Sequence, residues 1–374
     1  MHAHQPLRIA YDPQIWSFQT YGGVSRYFYE IARRIADMPN TDVSIIAPFH
    51  VSAYLGMSED QLTRGFRSPW PHIGQLRRRM LAMLVGDAML YQLAPDVIHE
   101  TYYYRIRSGP RNARRIVTIH DMIHEKFPSH FPNADRTARH KAAAARRADH
   151  VICVSESTRR DVIEILGLTA DKTSVIHHGY EMMIAYQQGP EANVPPPNQP
   201  FLLYVGSRGG YKNFSCLLRA YARSPQLRQN FKLVCFGGGA FLPSELTELA
   251  NFDVDAQSAI QVTGNDSMLT EYYRSASAFV YPSLYEGFGF PPLEAMANGC
   301  PVICSNAGSI PEIVGDAGEY FDPTSVDSLI DAIVNIVASA SRQEFLVEKG
   351  RNRLKQFSWD QCATATLDVY RKLA

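Results

Sequence analysis

Short β-branched apolar runs alternate along this chain with segments whose apolar residues recur every three to four positions. LRIAYDP (7–13), VSIIAP (43–48), PDVIHE (95–100), RRIVTIHD (114–121), HVICVS (150–155) and TSVIHHG (173–179) read as strands bounded by turn residues. Between them, RYFYEIARRIADM (26–38), DRTARHKAAAARRA (135–148) and ESTRRDVIEILG (156–167) carry helical spacing. Such alternation predicts a parallel sheet with helices on both faces. YQQGPEANVPPPNQP (186–200) breaks the pattern with five prolines and no periodicity, as an extended interdomain linker would. The alternation restarts with FLLYVGS (201–207), KLVCFGGG (232–239), IQVTG (260–264), AFVYPS (278–283) and PVICS (301–305), and an amphipathic FSWDQCATATLDVYRKLA closes the chain. The expected fold is α/β. It has two doubly wound domains, 1–185 and 201–355, joined by the linker 186–200 and followed by a terminal helix, 356–374. Ligands of such pairs are expected at the carboxyl ends of the strands, facing across a cleft.

Composition narrows the classes. With 374 residues, 45% hydrophobic and 20% charged, the chain is ordinary globular protein of two-domain size. Lys+Arg and Asp+Glu are both 37, and this neutrality argues against a nucleic-acid partner. No apolar run approaches the ~18 residues of a membrane span, and MHAHQPLRIAYD lacks a secretory apolar core, so a cytoplasmic protein is expected. The six cysteines are too scattered for a disulfide framework and read as small buried hydrophobes. Charge is uneven: residues 1–190 carry 23 basic and 18 acidic side chains, the remainder 14 and 19. Much of the excess lies in RGFRSPWPHIGQLRRRMLAML, where Arg64, Arg67, Arg77, Arg78 and Arg79 interleave with Phe66, Trp70, Leu76, Met80 and Leu81. Two readings compete there: a solvated helix packed by its Leu/Met side, or a basic surface resting on an anionic membrane. The segment alone favours the first.

Four segments carry candidate chemistry. In SLYEGFGFPPLEAMANGCPVICS (283–305), Glu286 and Glu294 bracket Gly287, Phe288 and Gly289, and Pro291–Pro292 suit the first turn of a helix running to about Asn298. Loop amides and a helix N-terminus accept phosphate or hydroxyl oxygens, and a Glu at each end accepts hydroxyls of a sugar or ribose. In YVGSRGGYKNF (204–214), Arg208 and Lys212 sit four apart before a helix, placed to neutralise a diphosphate. Gly22–Gly23 in TYGGVSRY (20–27) lets backbone approach a ligand. His120 in TIHDMIHEKFP (118–128) ends a strand, where it can hydrogen-bond a substrate hydroxyl. His120 and His124 lack the HExxH pattern and companion ligands, so no metal is expected. Asp253-Val254-Asp255 reads as a surface connector between a helix and a strand. Taken singly, each segment also fits a structural role: a strand–helix corner, solvated cations, a tight turn, a satisfied histidine.

Taken together, YVGSRGGYKNF, SLYEGFGFPPLEAMANGCPVICSNAGSIPEIVGDAGEYFDP and the terminal FSWDQCATATLDVYRKL resemble the retaining, nucleotide-sugar-dependent glycosyltransferases of family 4, with the GT-B fold. YGGVSRY, TIHDMIHEKFP and VSESTRRDV extend the resemblance through residues 1–185. It implies two Rossmann-like domains, acceptor bound by the first and donor by the second, with the last helix returning to the first. It implies that Glu286, with the backbone of Gly287, Phe288 and Gly289, contacts the donor sugar, and that Glu294 holds the ribose hydroxyls. Arg208 and Lys212 would stabilise the departing diphosphate, Gly22 and Gly23 form the N-terminal glycine loop, and His120 lies near the transferring sugar. No metal or other cofactor is implied. HHG (177–179) departs from the Pro-Asn-Gly type turn of many members, leaving the orientation of Tyr180 and Glu181 open.

The expected reaction is retaining hexosyl transfer, the leaving diphosphate neutralised by Arg208, Lys212 and helix amides. HDMIHEKFP, SRGGYKNF and HHG resemble enzymes of bacterial surface polysaccharide assembly that use GDP-mannose or a related GDP-sugar. The acceptor would be a glycan or lipid-linked oligosaccharide, with peripheral contact to an anionic membrane at its inner face. A UDP-hexose donor and a non-catalytic nucleotide-sugar-binding assembly subunit are the alternatives. A dinucleotide oxidoreductase would need a GxGxxG fingerprint after a first strand, and neither half has one.

Overall fold

A computed structural model describes residues 5–56, 61–68, 74–181, 195–252, 254 and 257–374. The chain divides into two compact units, one of residues 1–179 with 358–374 and one of residues 180–357. Of the expected linker, 186–194 lie outside the described residues, as do Trp70, Asp253 and Asp255.

The first unit is a seven-stranded parallel sheet of β1 (Leu7–Tyr11), β2 (Thr41–His50), β3 (Thr63–Arg67), β4 (Val97–Glu100), β5 (Arg114–Ile119), β6 (His150–Cys153) and β7 (Thr173–Val175), in the order β3-β2-β1-β4-β5-β6-β7. Burial on both faces explains the continuous apolar runs of its inner strands. Two departures from the sequence reading concern the basic segment. β3 was not expected there: its TRGFR has little apolar content, which an edge strand with one partner tolerates, and it joins β2 across a register shift between Ala47 and Phe49. The helix Gln75–Leu93 also does not pack by the Leu and Met residues of the basic segment, although Leu90, with Met89 and Leu93 beside it, joins the core further on. It buries Ala82, Gly86 and Leu90, with Gly86 against Pro13, and leaves Leu76, Met80, Leu81 and Leu84 exposed. Small residues permit that close approach, and a strip of larger side chains is left in water.

The terminal helix Trp359–Leu373 belongs to this first unit. Its buried residues Trp359, Cys362, Ala363, Thr366, Leu367 and Tyr370 recur at three- and four-residue spacing and form one face. That face packs on the helix Gly23–Ala36, where Arg34 Nε donates to Asp360 Oδ1 at 2.7 Å. Tyr370 Oη lies 3.2 Å from Tyr11 Oη and 2.5 Å from His99 Nδ1, tying the helix to β1 and β4.

The second unit is a six-stranded parallel sheet of β8 (Phe201–Val205), β9 (Lys232–Phe236), β10 (Ala259–Val262), β11 (Ala278–Tyr281), β12 (Val302–Ser305) and β13 (Gly318–Phe321), in the order β10-β9-β8-β11-β12-β13. β13, Gly-Glu-Tyr-Phe, is the second unforeseen strand, too short and polar to show a pattern. One face is covered by the helices Phe214–Arg223 and Val326–Val337, whose Phe214, Leu217, Tyr221, Leu329, Ile333 and Ile336 join one core. All six cysteines are buried free thiols. Among the described residues no helix is long and apolar enough to cross a membrane.

Gly179 shows how tightly the first unit closes on the terminal helix. A Cβ there would fall 2.2 Å from Trp359 N and 2.4 Å from its Cα, both backbone atoms that cannot swing away. Gly179→Ala is expected to destabilise the first unit by about 1–3 kcal/mol through overpacking. A thermal melt followed by tryptophan fluorescence checks this, and an unchanged Tm would contradict it.

Candidate active site

In the second unit, β8 and β11 are neighbours, yet the strand after β8 lies on one side of the pair and the strand after β11 on the other. Diverging connections open a crevice at the strands' carboxyl ends, the usual ligand position in such sheets. Lys212 follows β8 and Glu286 follows β11, and the sheet brings them together: Lys212 Nζ donates to Glu286 Oε1 at 2.8 Å. Lys212 sits in the 3-10 turn Gly210–Lys212, below which Asn213, left-handed at φ 57°, starts the helix Phe214–Arg223. Asn213 Nδ2 donates to the carbonyls of Pro282 and Pro323, and Leu284 N donates to Tyr211 O, so the two loops are stitched to each other. The Tyr281 hydroxyl, at the end of β11, hydrogen-bonds Glu286; burial first, then that carboxylate's charge, pushes it well above the usual phenol range.

The glycine loop is clamped from behind. Ser309 Oγ donates to the carbonyls of Glu286 and Phe288 at 2.9 and 2.8 Å, and Ser305 Oγ donates to Ser283 O. Gly289, at φ 111°, turns the chain into the helix Phe290–Ala297, which starts two residues before the expected Pro292. Because Pro291 and Pro292 lack N–H groups, half of that helix's first amides are missing. Among its first four residues only Phe290 and Leu293 keep an N–H group. Glu294, one turn further on, accepts from the Tyr273 hydroxyl at 3.1 Å.

Arg208 is placed differently from Lys212. Its Nε and Nη2 bond Glu245 at 2.9 and 3.2 Å, while Nη1 and Nη2 donate to the carbonyls of Gly237, Gly239 and Ala240. With its side chain 2% exposed, it organises the turn after β9 from within. Gly237, Gly238 and Gly239 are all left-handed there, and a Cβ on Gly238 would lie 2.7 Å from Gly206 O and 2.9 Å from Arg208 Nη1. Glu245, Tyr273, Tyr281 and Ser309 were not singled out from sequence. Tyr281 sits in the apolar run AFVYPS and Tyr273 in the amphipathic helix Asp266–Ser275, and only Ser309, within NAGSIPE, carried a visible small-residue signal.

In the first unit, Gly22 precedes the helix Gly23–Ala36 and lies against Gln19, whose Oε1 accepts from Ser25 N at 2.8 Å and so caps the helix. Two turns of chemistry meet here, because Tyr27 and Phe28 of that helix pack edge-on against His120, at 5.3 and 6.0 Å between ring centroids. His120 follows β5 directly. Its backbone N donates to the Tyr103 hydroxyl, its ring stacks on His178, and its Nε2 is buried with no hydrogen-bond partner among the described residues. Burial pushes its pKa down to about 4, partly opposed by Asp121, so it is a neutral ring at pH 7. Lys141, fully buried and unforeseen, fixes the loop after it by donating to Asp121 O and Glu125 Oε2, each at 2.8 Å. Among the described residues, no group of three or more His, Cys, Asp or Glu side chains is arranged to hold a metal ion.

Residues 21–182 match the family described as Glycosyltransferase Family 4, and residues 187–353 match Glycosyl transferases group 1. The chain is a GT-B glycosyltransferase. The enzyme is 28% identical over 373 residues to O-antigen chain mannosyltransferase B of Escherichia coli, covering 94% of this chain and 96% of that protein. Its fold is shared with a sucrose-phosphate synthase from Thermosynechococcus elongatus, at TM-score 0.74 and 21% identity over 99% of both chains. It is also shared with HepE of Anabaena, solved with UDP and glucose, at TM-score 0.67 and 19% identity over 98% of this chain and 100% of that one.

The buried histidines make the first unit acid-sensitive. Burial lowers His99 to about 3 and His120 to about 4, and His178 falls well below its ordinary value. Between roughly pH 6.5 and 4 the unfolded chain therefore binds more protons than the folded one, and stability drops as pH falls through that window. Asp12, pushed up to about 6 by burial, opposes this below pH 6 by taking a proton in the folded state. His120→Gln is expected to flatten the decline by about 1.4 kcal/mol per pH unit. Denaturant titrations from pH 6.5 to 4.5 read this out, and parallel slopes for the two proteins would count against it.

Proposed function

We propose that the enzyme transfers mannose from GDP-mannose, with retention at the anomeric carbon, to a glycan or lipid-linked oligosaccharide in bacterial surface polysaccharide assembly. The observation that carries this reading is the Lys212–Glu286 ion pair at the β8/β11 divide. A lysine held by a carboxylate at 2.8 Å is an ammonium that can exchange partners. When a diphosphate enters, Lys212 turns to its oxygens, and Glu286 is freed to accept hydrogen bonds from the sugar hydroxyls. The amides of Gly287, Phe288, Gly289 and Phe290 meet the same charge, and Glu294, steadied by Tyr273, takes the ribose hydroxyls. Arg208 adds positive charge behind them and fixes the Gly237–Ala240 turn. Charge developing on the leaving phosphate then meets preorganised donors, so the chemistry calls for no metal. With Glu286 committed to hydroxyl binding, the acceptor attacks from the face the diphosphate leaves, and a phosphate oxygen takes its proton.

In the first unit, neutral His120 serves as a hydrogen-bond partner for a sugar hydroxyl, and the Gly22–Gly23 turn allows backbone to approach a ligand. Mannose is favoured by the similarity to O-antigen chain mannosyltransferase B. A UDP-hexose is the second reading, favoured by the fold shared with HepE, solved with UDP and glucose. Exposed Leu76, Met80 and Leu84 beside Arg77 support peripheral contact with an anionic membrane.

GDP is expected to raise the Tm where UDP at the same concentration does not. Lys212→Ala should lower kcat with GDP-mannose about 100-fold or more while weakening donor binding less than about tenfold. Equal losses in both would contradict transition-state stabilisation, and stabilisation by UDP alone would replace the GDP reading.

A further inference from the structure

A hollow of about 350 Å³ opens in the first unit and is no part of the donor chemistry above. It lies at that unit's own topological switch, where β1 is flanked by β2 on one side and β4 on the other. Phe18 after β1, Tyr102 and Tyr104 after β4, Arg79 from the helix Gln75–Leu93, and Arg136 and His140 from the helix Ala134–Arg147 face it. The floor is rigid. Asp12 Oδ1 accepts from Thr101 N and Oγ1 at 2.9 and 2.7 Å, binding the ends of β1 and β4 to each other. Tyr103, also in the lining, carries the hydroxyl that receives His120 N, so the hollow adjoins the loop of the candidate sugar-binding histidine.

Its lining is cationic. The Arg79 guanidinium lies over the Phe18 ring, 4.4 Å from its centroid, which fixes its position without neutralising it. Among the described residues, neither Arg79 nor Arg136 is paired with a carboxylate, although the same unit pairs Arg8, Arg34, Arg115 and Arg147. Burial and then Arg136 lower the His140 pKa, with Arg105, Arg139 and Arg147 adding to the effect, and Asp121, whose charge reaches Tyr102 and Tyr103, already has the Lys141 ammonium 3.5 Å away. Beside them runs an apolar strip: Leu76 and Met80 line the hollow and Leu84 continues it one turn on, exposed 68%, 56% and 69%. Large apolar side chains at i, i+4 and i+8 left in water next to an unpaired cationic hollow form an amphiphilic surface.

We propose that this hollow binds a phosphorylated amphiphile, its phosphate or diphosphate held by Arg79, Arg136 and His140 and its hydrocarbon chain lying along Leu76, Met80 and Leu84. The inference deepens the lipid-linked acceptor reading and rests on it. It would place the charged junction of such an acceptor at the first unit's switch point and its glycan toward His120. Two guanidiniums suit phosphate oxygens through bidentate contacts, and a neutral polyol would leave them unmatched.

The test is calorimetric titration of the full chain, saturated with GDP, using farnesyl diphosphate below its micelle concentration, farnesol and inorganic pyrophosphate. Farnesyl diphosphate is expected to bind at least tenfold more tightly than either fragment. Arg79→Ala and Arg136→Gln should each weaken it at least fivefold, and Arg77→Ala, outside the hollow, should not. Farnesol binding as tightly as farnesyl diphosphate, or both variants binding like wild type with unaltered melts, would overturn the proposal. Phosphatidylglycerol vesicles separate the two sources of phosphate. Vesicle affinity unchanged in the variants supports the acceptor, whereas loss for vesicles but not for farnesyl diphosphate assigns the hollow to bilayer headgroups and overturns it. GDP stabilisation, read separately, reports the donor assignment, so either can fail alone.

Discussion

The second unit's chemistry depends on one constraint: a lysine and a glutamate on loops after two adjacent strands must meet. Lys212 and Glu286 are 74 residues apart in sequence and 2.8 Å apart in space, with side chains 19% and 9% exposed. Holding two charges there costs solvation that their attraction recovers only with good geometry and further hydrogen bonds. The structure supplies these through the Tyr281 hydroxyl on Glu286, the Ser309 hydroxyl under the loop backbone, and Asn213 bridging the carbonyls of Pro282 and Pro323. The pair holds both groups in place, and an anion and a set of hydroxyls could replace each partner for the other.

The same architectural solution occurs in each unit by itself. A parallel sheet whose connections diverge leaves a gap at the carboxyl ends of its two central strands. In the second unit that gap is lined by Lys212, Glu286 and the glycine loop. In the first it is lined by Arg79, Arg136 and tyrosines, over a floor tied by Asp12 and Thr101. Function thus follows topology twice, with different side chains giving each gap its own chemistry. Arg208 illustrates the division of labour within one gap: its fork is spent on Glu245 and three carbonyls, so it shapes the turn after β9.

Much of this was legible in the residues, and the reasons are physical. Inner strands buried on both faces read as apolar runs, and the edge strands β7 and β10 keep enough β-branched residues to show; β3 and β13 did not, since TRGFR and GEYF hold little aliphatic content. Glycine, proline and charge concentrated in EGFGFPPLE pointed to a loop with a ligand because those residues have little to offer a core. The partners that position the site were hidden for the opposite reason. Tyr281, Tyr273, Ser309 and Lys141 each satisfy a core-like environment with one polar atom, and such a residue looks in sequence like any other. The helix Gln75–Leu93 misled because before Leu90 it is Ala82 and Gly86, and not Leu76, Met80, Leu81 or Leu84, that face the core.

Hydrogen exchange on the full chain, with and without GDP-mannose, addresses the central claim most directly. If a diphosphate-sugar replaces the Lys212–Glu286 contact, amides of 206–213 and 284–290 should exchange more slowly when the donor is present. Unchanged exchange in both loops, with protection appearing elsewhere in the chain at saturating donor, would contradict the account.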